Sequence, residues 1–217
     1  NAHQKLNSIH QILVGGEAMN VKDVYEFKKM LPQANITNTY GPAECSIGTI
    51  FHEVVGEDFE SMPIGKPINN VYALILNKHK KIINTINQIG EIYLGGICIG
   101  LGYLGNKKET EKAFIANPFK EIKSEKLYKT GDLAHYDADG NICYMGRSDT
   151  QVKINGVRIE LSSIENKIKN LNGVKEVFVF MSELLNSKKE LYLLATTTEK
   201  LNEVRLVAQL SKVLTLN

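Results

Sequence analysis

The chain has 217 residues, 43 % of them hydrophobic and 23 % charged, with a formal net charge of +2. That length can bury a genuine core in one large lobe or in a larger and a smaller one, and so small a charge excludes the basic footprint of a nucleic-acid binder. No run approaches the roughly 20 apolar residues that span a bilayer, and the first residues lack the basic-then-apolar order of a signal peptide, so a membrane partner is not expected either.

In chain order, "IHQILVGGEAMN" is an apolar run ending in Gly15-Gly16, and "VKDVYEFKKML" then sets Val21, Val24, Phe27 or Lys28, and Leu31 at helical spacing before Pro32. The reading is strand, loop, helix. Residues 64 to 104 read as short antiparallel strands, with "VYALIL" and "KIINTI" flanking the turn-like "NKHK" and "GEIYLGG" following. "LAHYDADGNICYMG" predicts two strands around Asp139-Gly140, and "VKINGVRIE" predicts a hairpin turning at Asn155-Gly156, since both residues accept positive φ. Beyond Glu160 the pattern predicts a helix capped by Ser162 or Ser163 and carrying Ile164, Ile168 and Leu171. The strands "VKEVFVF" and "ELYLLATT" and a helix from about Leu201 follow. The fold class is therefore α/β in the mixed α+β sense, with a break in texture between residues 1–148 and 149–217.

Several candidate chemistries fall away. Gly100-x-Gly102 has the wrong spacing for a dinucleotide loop, and no GxxxxGK[ST] segment is present. Cys45, Cys98 and Cys143 are far apart, odd in number and without metal-ligand spacing, the usage of a reducing compartment, so the expectation is cytoplasmic. The carboxylates are more telling. Glu44 in "NTYGPAE" follows a Gly-Pro break, where it can cap the next turn or offer a hard oxygen to Mg²⁺. Asp132 in "YKTGDL" can bond its own turn, or accept from both hydroxyls of a ribose diol. Arg147 reads by itself as a surface ion pair. The residues taken singly leave these alternatives open.

Taken together, "NTYGPAE", "GEIYLGGICIGLGYL", "YKTGDL" and "GRSDTQVKINGVRIELSSIE" resemble, in order and approximate spacing, the adenylation domains of nonribosomal peptide synthetases. These belong to the adenylate-forming superfamily with acyl-CoA synthetases and luciferases. The resemblance implies residues 1–148 as the C-terminal part of the large AMP-binding lobe, with its β-rich subdomain, and 149–217 as the hinge and an incomplete small lobe. It implies ATP and Mg²⁺ as cofactors, an amino acid as substrate, and phosphopantetheine on a peptidyl carrier domain as partner. Tyr40 falls where the family stacks an aromatic on adenine, and Glu44 where it binds Mg²⁺. Asp132 matches the residue that holds the ribose hydroxyls, and Arg147 one that approaches ribose and phosphate. Asp149 matches the hinge, and Lys153 a small-lobe lysine that faces the active site. The resemblance also sets Gly16, Glu17, Asn38, Thr39, Gly41 and Tyr144 around the nucleotide, with Glu44 and Lys153 the catalytic candidates. By the same resemblance Leu13, Gly15, Thr39, Ile47 and Gly48 are expected to line the substrate pocket, and their character leans toward Asn as the amino acid.

The implied chemistry is attack of a substrate carboxylate on the α-phosphorus of ATP, then transfer of the acyl group to a thiol. Such a reaction needs positioning more than a protein nucleophile. Departures from the pattern are Ala43 for the usual Thr, Asn155 for an Arg, and "ELSSIE" for "ELGEIE". The chain starts Asn1-Ala2 rather than with Met. The phosphate loop and a carboxylate-binding Asp are expected upstream, and the catalytic lysine beyond Asn217, so the piece alone is expected to be inactive. The alternatives are a stand-alone acyl or D-alanine carrier-protein ligase, an acyl-CoA synthetase, or a non-catalytic interaction module retaining the fold.

Overall fold

A computed structural model of the chain describes residues 6–55, 62–154, 157–171, 173–184 and 188–197. The chain divides into two units, Asn1–Ser148 and Asp149–Asn217.

The first unit opens with β1 (Gln11–Gly15), α1 (Val21–Met30) and β2 (Asn35–Tyr40). β1 and β2 are parallel, with Leu13 opposite Thr37 and Gly15 opposite Thr39, and α1 is the crossover that a parallel pair requires. Asn20 caps the helix, its side chain accepting from the Lys22 N–H at 2.9 Å. Val24 and Leu31 are buried as expected, but Phe27 is 45 % exposed. Seven residues return the helix almost to the same line, whereas three leave Phe27 some 60° off it, at the rim of the stripe. Two antiparallel strands, β3 (Ile50–Glu53) and β4 (Lys66–Pro67), complete this sheet in the order β1-β2-β3-β4.

A second sheet holds β5 (Val71–Leu76), β6 (Gly90–Gly96), β7 (Phe114–Ala116), β8 (Lys126–Tyr136) and β9 (Ile142–Arg147). β8 is long enough to pair β7 along its first half and β9 along its second, with β6 on its other edge. The two sheets share one core, in which Cys45 and Ile50 pack with Ile75, Ile92, Leu94, Tyr128 and Ile142. The β8–β9 turn is closed by Asp137, whose carboxylate accepts from the Asp139 and Asn141 N–H groups at 2.9 and 2.7 Å, with Gly140 at φ +75°. "KIINTI" does not form the expected strand. Asn77 accepts from the His79 and Lys81 N–H groups at 2.8 and 3.1 Å, and the returning chain makes isolated bridges in place of a ladder, Ile82 to Leu76 and Ile86 to Tyr136. A short α2 (Lys107–Ala113), capped by Asn106, precedes β7.

In the second unit β10 (Gln151–Ile154) and β11 (Val157–Glu160) are antiparallel, with Ile154 opposite Val157. The Asn155-Gly156 turn lies outside the described residues, as does the helix expected from about Leu201. α3 (Leu161–Lys169) is capped at Glu160, not at Ser162 or Ser163. The extended backbone reaches only to Glu160, so the serines fall within the first turn, where Ser162 donates to Glu160 Oε1 at 2.9 Å. Leu161 and Ile168 bury against Val179 of β12 (Val174–Leu184), which pairs with β13 (Lys188–Thr197). Among the described residues no helix is long and apolar enough to cross a membrane.

Candidate functional site

β8 and β9 set Asp132 opposite Arg147 in register, and the end of β2 brings Tyr40 to the same carboxylate. The Tyr40 hydroxyl donates to Asp132 Oδ2 at 2.5 Å and Arg147 Nη1 donates to Oδ1 at 2.7 Å. The two charged side chains are 10 % and 8 % exposed, so this is not the surface ion pair that Arg147 suggests when read alone. Behind it, the Asp132 N–H donates to Thr130 Oγ1 at 3.0 Å, and that hydroxyl donates to the Ile92 carbonyl at 2.8 Å. Burial pushes the Tyr40 phenol well above its usual range, and the Asp132 charge adds to the shift, so Tyr40 stays a donor. The Tyr144 ring lies 6.5 Å from that of Tyr40, centroid to centroid, tilted by 39°.

From Tyr40 the chain passes Gly41-Pro42 into a 3-10 turn, Ala43–Cys45, and then through two consecutive left-handed residues, Ser46 (φ 60°) and Ile47 (φ 70°). A Cβ on Gly41 would sit 1.2 Å from the Ile47 carbonyl oxygen, so the turn closes only over glycine. The cap position of the turn is Pro42, with no side-chain cap bond, so Glu44 does not cap it. Its carboxylate accepts instead from the Tyr103 hydroxyl at 2.7 Å, and its carbonyl accepts from the Gly100 N–H at 2.8 Å. Among the described residues no three His, Cys, Asp or Glu side chains gather as a metal site. A lone carboxylate nevertheless suits Mg²⁺, which takes one or two protein carboxylates and completes its shell with water and phosphate oxygens.

The third group forms on one face of the first sheet. Leu13, Gly15 and Thr39 share that face by register and alternation, and Phe51 joins them because it pairs with Thr39. Thr39 donates to the Val14 carbonyl at 3.1 Å, and a Cβ on Gly15 would lie 2.3 Å from the Thr39 oxygen. Gly48 lies against the Phe51 ring, where an added Cβ would be 3.0 Å from Cζ.

Residues 1–104 match the family of AMP-binding enzymes. Over that stretch, just under half of its length, the chain carries that family's pattern. It is 35 % identical over 214 residues to tyrocidine synthase 3 of Brevibacillus parabrevis, a match covering 95 % of this chain and 3 % of that protein. To gramicidin S synthase 2 of Brevibacillus brevis it is 41 % identical over 174 residues, 79 % of this chain and 4 % of the relative. The solved structure of PA1221, an NRPS protein containing adenylation and PCP domains, superposes with a TM-score of 0.81 at 29 % identity, over 95 % of this chain and 42 % of that one. The chain thus spans a small part of the curated relatives it matches.

The candidates that family resemblance singles out fall into separate places. Tyr40, Asp132, Arg147 and Tyr144 come together, Glu44 is held by the loop around Tyr103, and Leu13, Gly15 and Thr39 share a sheet face. Asn38 points the other way, buried and donating to the Pro63 carbonyl at 2.8 Å. Gly16, at φ +98°, leaves β1 just before Glu17. Asp149 and Lys153 lie in the second unit, where the Asp149 carboxylate accepts from the Gln151 N–H at 3.1 Å and Lys153 stands opposite Arg158 on the β10–β11 ribbon. Sequence reasoning missed Tyr103, Phe51 and Thr130. Tyr103 lies inside "GEIYLGGICIGLGYL", where an amphipathic aromatic beside an apolar run has a hydroxyl in need of a partner. Nothing in "TIFHE" marks Phe51.

Proposed function

We propose that this chain supplies the nucleotide-binding end and half of the acyl pocket of an amino-acid adenylation domain. The domain would join a substrate carboxylate to the α-phosphorus of ATP, release pyrophosphate, and pass the aminoacyl group to a phosphopantetheine thiol of a peptidyl carrier domain, AMP leaving. The observation that carries this is the buried Tyr40–Asp132–Arg147 cluster beside Tyr144. A carboxylate has about four lone-pair sites, so Asp132 can serve both donors and still accept from a ribose diol. Tyr40 and Tyr144 offer ring faces for adenine, Arg147 offers charge toward the ribose and phosphate, and Gly16, Glu17 and Gly41 shape the backbone around them. Asn38 serves from behind, tying β2 to Pro63.

Glu44 would hold Mg²⁺ together with the nucleotide phosphates, and the ion would neutralise phosphate charge when bound. Lys153 would reach the reacting groups from the small lobe, with Asp149 as the hinge. Leu13, Gly15, Thr39, Ile47 and Gly48 would line the substrate pocket. Because the Thr39 hydrogen is committed to Val14, its oxygen is left to accept, which suits the amide N–H of Asn better than a carboxylate. A reducing, cytoplasmic setting accords with three free cysteines.

The test is AMP binding by calorimetry, alongside amino-acid-dependent ATP–pyrophosphate exchange, in the synthetase that carries this chain. Asp132→Asn should weaken AMP binding roughly 10- to 100-fold, the value of charge-assisted hydrogen bonds. Full AMP affinity in that variant would remove Asp132 from the nucleotide site. Exchange undiminished by Glu44→Ala would remove Glu44 from the reaction.

A further inference from the structure

The geometry points to Tyr103 as a positioning residue for the Glu44 carboxylate, an inference that rests on reading Glu44 as the Mg²⁺-binding group. Two independent attachments converge on Glu44 from the loop between β6 and α2. The Gly100 N–H takes its backbone carbonyl at 2.8 Å, and the Tyr103 hydroxyl takes Oε1 at 2.7 Å. Residues 59 positions apart are joined side chain to side chain.

Tyr103 is itself fixed at both ends. Its N–H donates to Thr110 Oγ1 at 2.8 Å, and Thr110 belongs to α2, its own hydroxyl turned back to the Asn106 carbonyl at 2.9 Å. Gly102, at φ +133°, admits this approach, since a Cβ there would fall 2.4 Å from Thr110 Cγ2. The Tyr103 ring stands edge-on to Phe114 at 5.6 Å, and Phe114 packs at 5.1 Å on the fully buried Tyr128. The hydroxyl is therefore presented by the rigid core, not by a floating loop.

A glutamate side chain loses much of its rotamer freedom when it is ordered. Tyr103 imposes that order before any ion arrives, leaving the carboxylate aimed for a hard cation while one oxygen accepts from the phenol. A purely structural tyrosine would need its ring on Phe114 and some acceptor for its hydroxyl, but not the carboxylate of the loop that follows Tyr40.

The experiment measures the affinity of the synthetase carrying this chain for a non-hydrolysable ATP analogue by calorimetry, once with Mg²⁺ and once with EDTA. Tyr103→Phe keeps the ring and removes only the hydroxyl. It should cut the Mg²⁺-dependent gain in affinity about tenfold, the usual effect of losing a group that orients a metal ligand, and leave the EDTA affinity unchanged. In pyrophosphate release the Mg²⁺ concentration for half-maximal rate should rise while the amino-acid KM stays constant. Glu44→Gln should remove the Mg²⁺-dependent gain, with no further loss on adding Tyr103→Phe. If Glu44→Gln removes the gain and Tyr103→Phe does not reduce it, the positioning role is overturned and the reading of Glu44 stands. If Glu44→Gln leaves the gain intact, the metal reading falls and the inference with it. Should Tyr103→Phe fail to fold, Thr110→Val provides the second variant, because it frees the Tyr103 backbone without touching the hydroxyl. A smaller loss of the same gain supports the inference, and no loss overturns it.

Discussion

Tyr40 and Asp132 meet at 2.5 Å although 92 positions separate them. The bond fastens the end of β2 in one sheet to the middle of β8 in the other, so the two sheets of the first unit are joined at the site as well as through their shared core. Each Asp132 oxygen has a different protein donor, the phenol on Oδ2 and the guanidinium on Oδ1, and the two differ in what they leave behind when removed.

Tyr40→Phe deletes one donor while Arg147 still compensates the charge, so it should cost about 1–3 kcal/mol of unfolding free energy. Arg147→Ala strands a buried carboxylate and should cost about 3–5 kcal/mol. Urea unfolding of both variants checks the order. A larger loss from Tyr40→Phe would mean that the charge pair is solvated.

The glycines divide by what surrounds them. Gly16→Ala meets no atom within 4 Å and pays only for its φ of +98°, about 1–2 kcal/mol. Gly41→Ala would force Cβ onto the Ile47 carbonyl oxygen and should lose more than about 3 kcal/mol, or not fold. Thermal unfolding of the two alanine variants should show this order, and equal shifts would refute it.

Burial lowers the His52 imidazole below its ordinary 6.5, with Asp137 opposing less strongly. In the window below that value the unfolded chain binds a proton that the folded one resists, so unfolding free energy rises with pH there and falls as the solution is acidified. His52→Gln carries no such proton. Its stability should decline less than that of the unaltered protein between about pH 7.5 and pH 5.5. Parallel decline of the two in chemical denaturation would show that His52 titrates normally.

For the substrate, Thr39→Val removes the acceptor oxygen without changing the shape of the sheet. A panel of amino acids in a pyrophosphate-release assay should show Asn favoured over Asp by the unaltered synthetase, and that margin lost in the variant. Preference for Phe, Leu or Val in the unaltered enzyme would refute the pocket reading while leaving the family untouched.

Much of the frame was legible in the residues because it is local. The run through Gly15 and the spacing of Val24 and Leu31 specify β1 and α1, and Asp137 to Asn141 specify a hairpin turn. Legibility failed where local chemistry is ambiguous or silent. "KIINTI" has strand composition, but Asn77 captures the backbone beside it. "KKETEKA" forms α2 with no buried residue, so it has no apolar stripe to read. The site was legible only through resemblance. Asp132 and Arg147 are oriented by a strand register, and Tyr103 reaches Glu44 through a tertiary fold that no short window contains.

The left-handed Ile47 sets two demands against each other. A β-branched residue at φ 70° carries strain on the order of 1–3 kcal/mol, and at 70 % exposure its side chain recovers little of that by burial. Ile47→Gly or Ile47→Asn would relax the turn. The side chain given up is one that we propose lines the acyl pocket, so stability and substrate discrimination pull in opposite directions on a single codon. A laboratory lineage selected for thermal endurance alone should change this position early and lose fidelity as it does so.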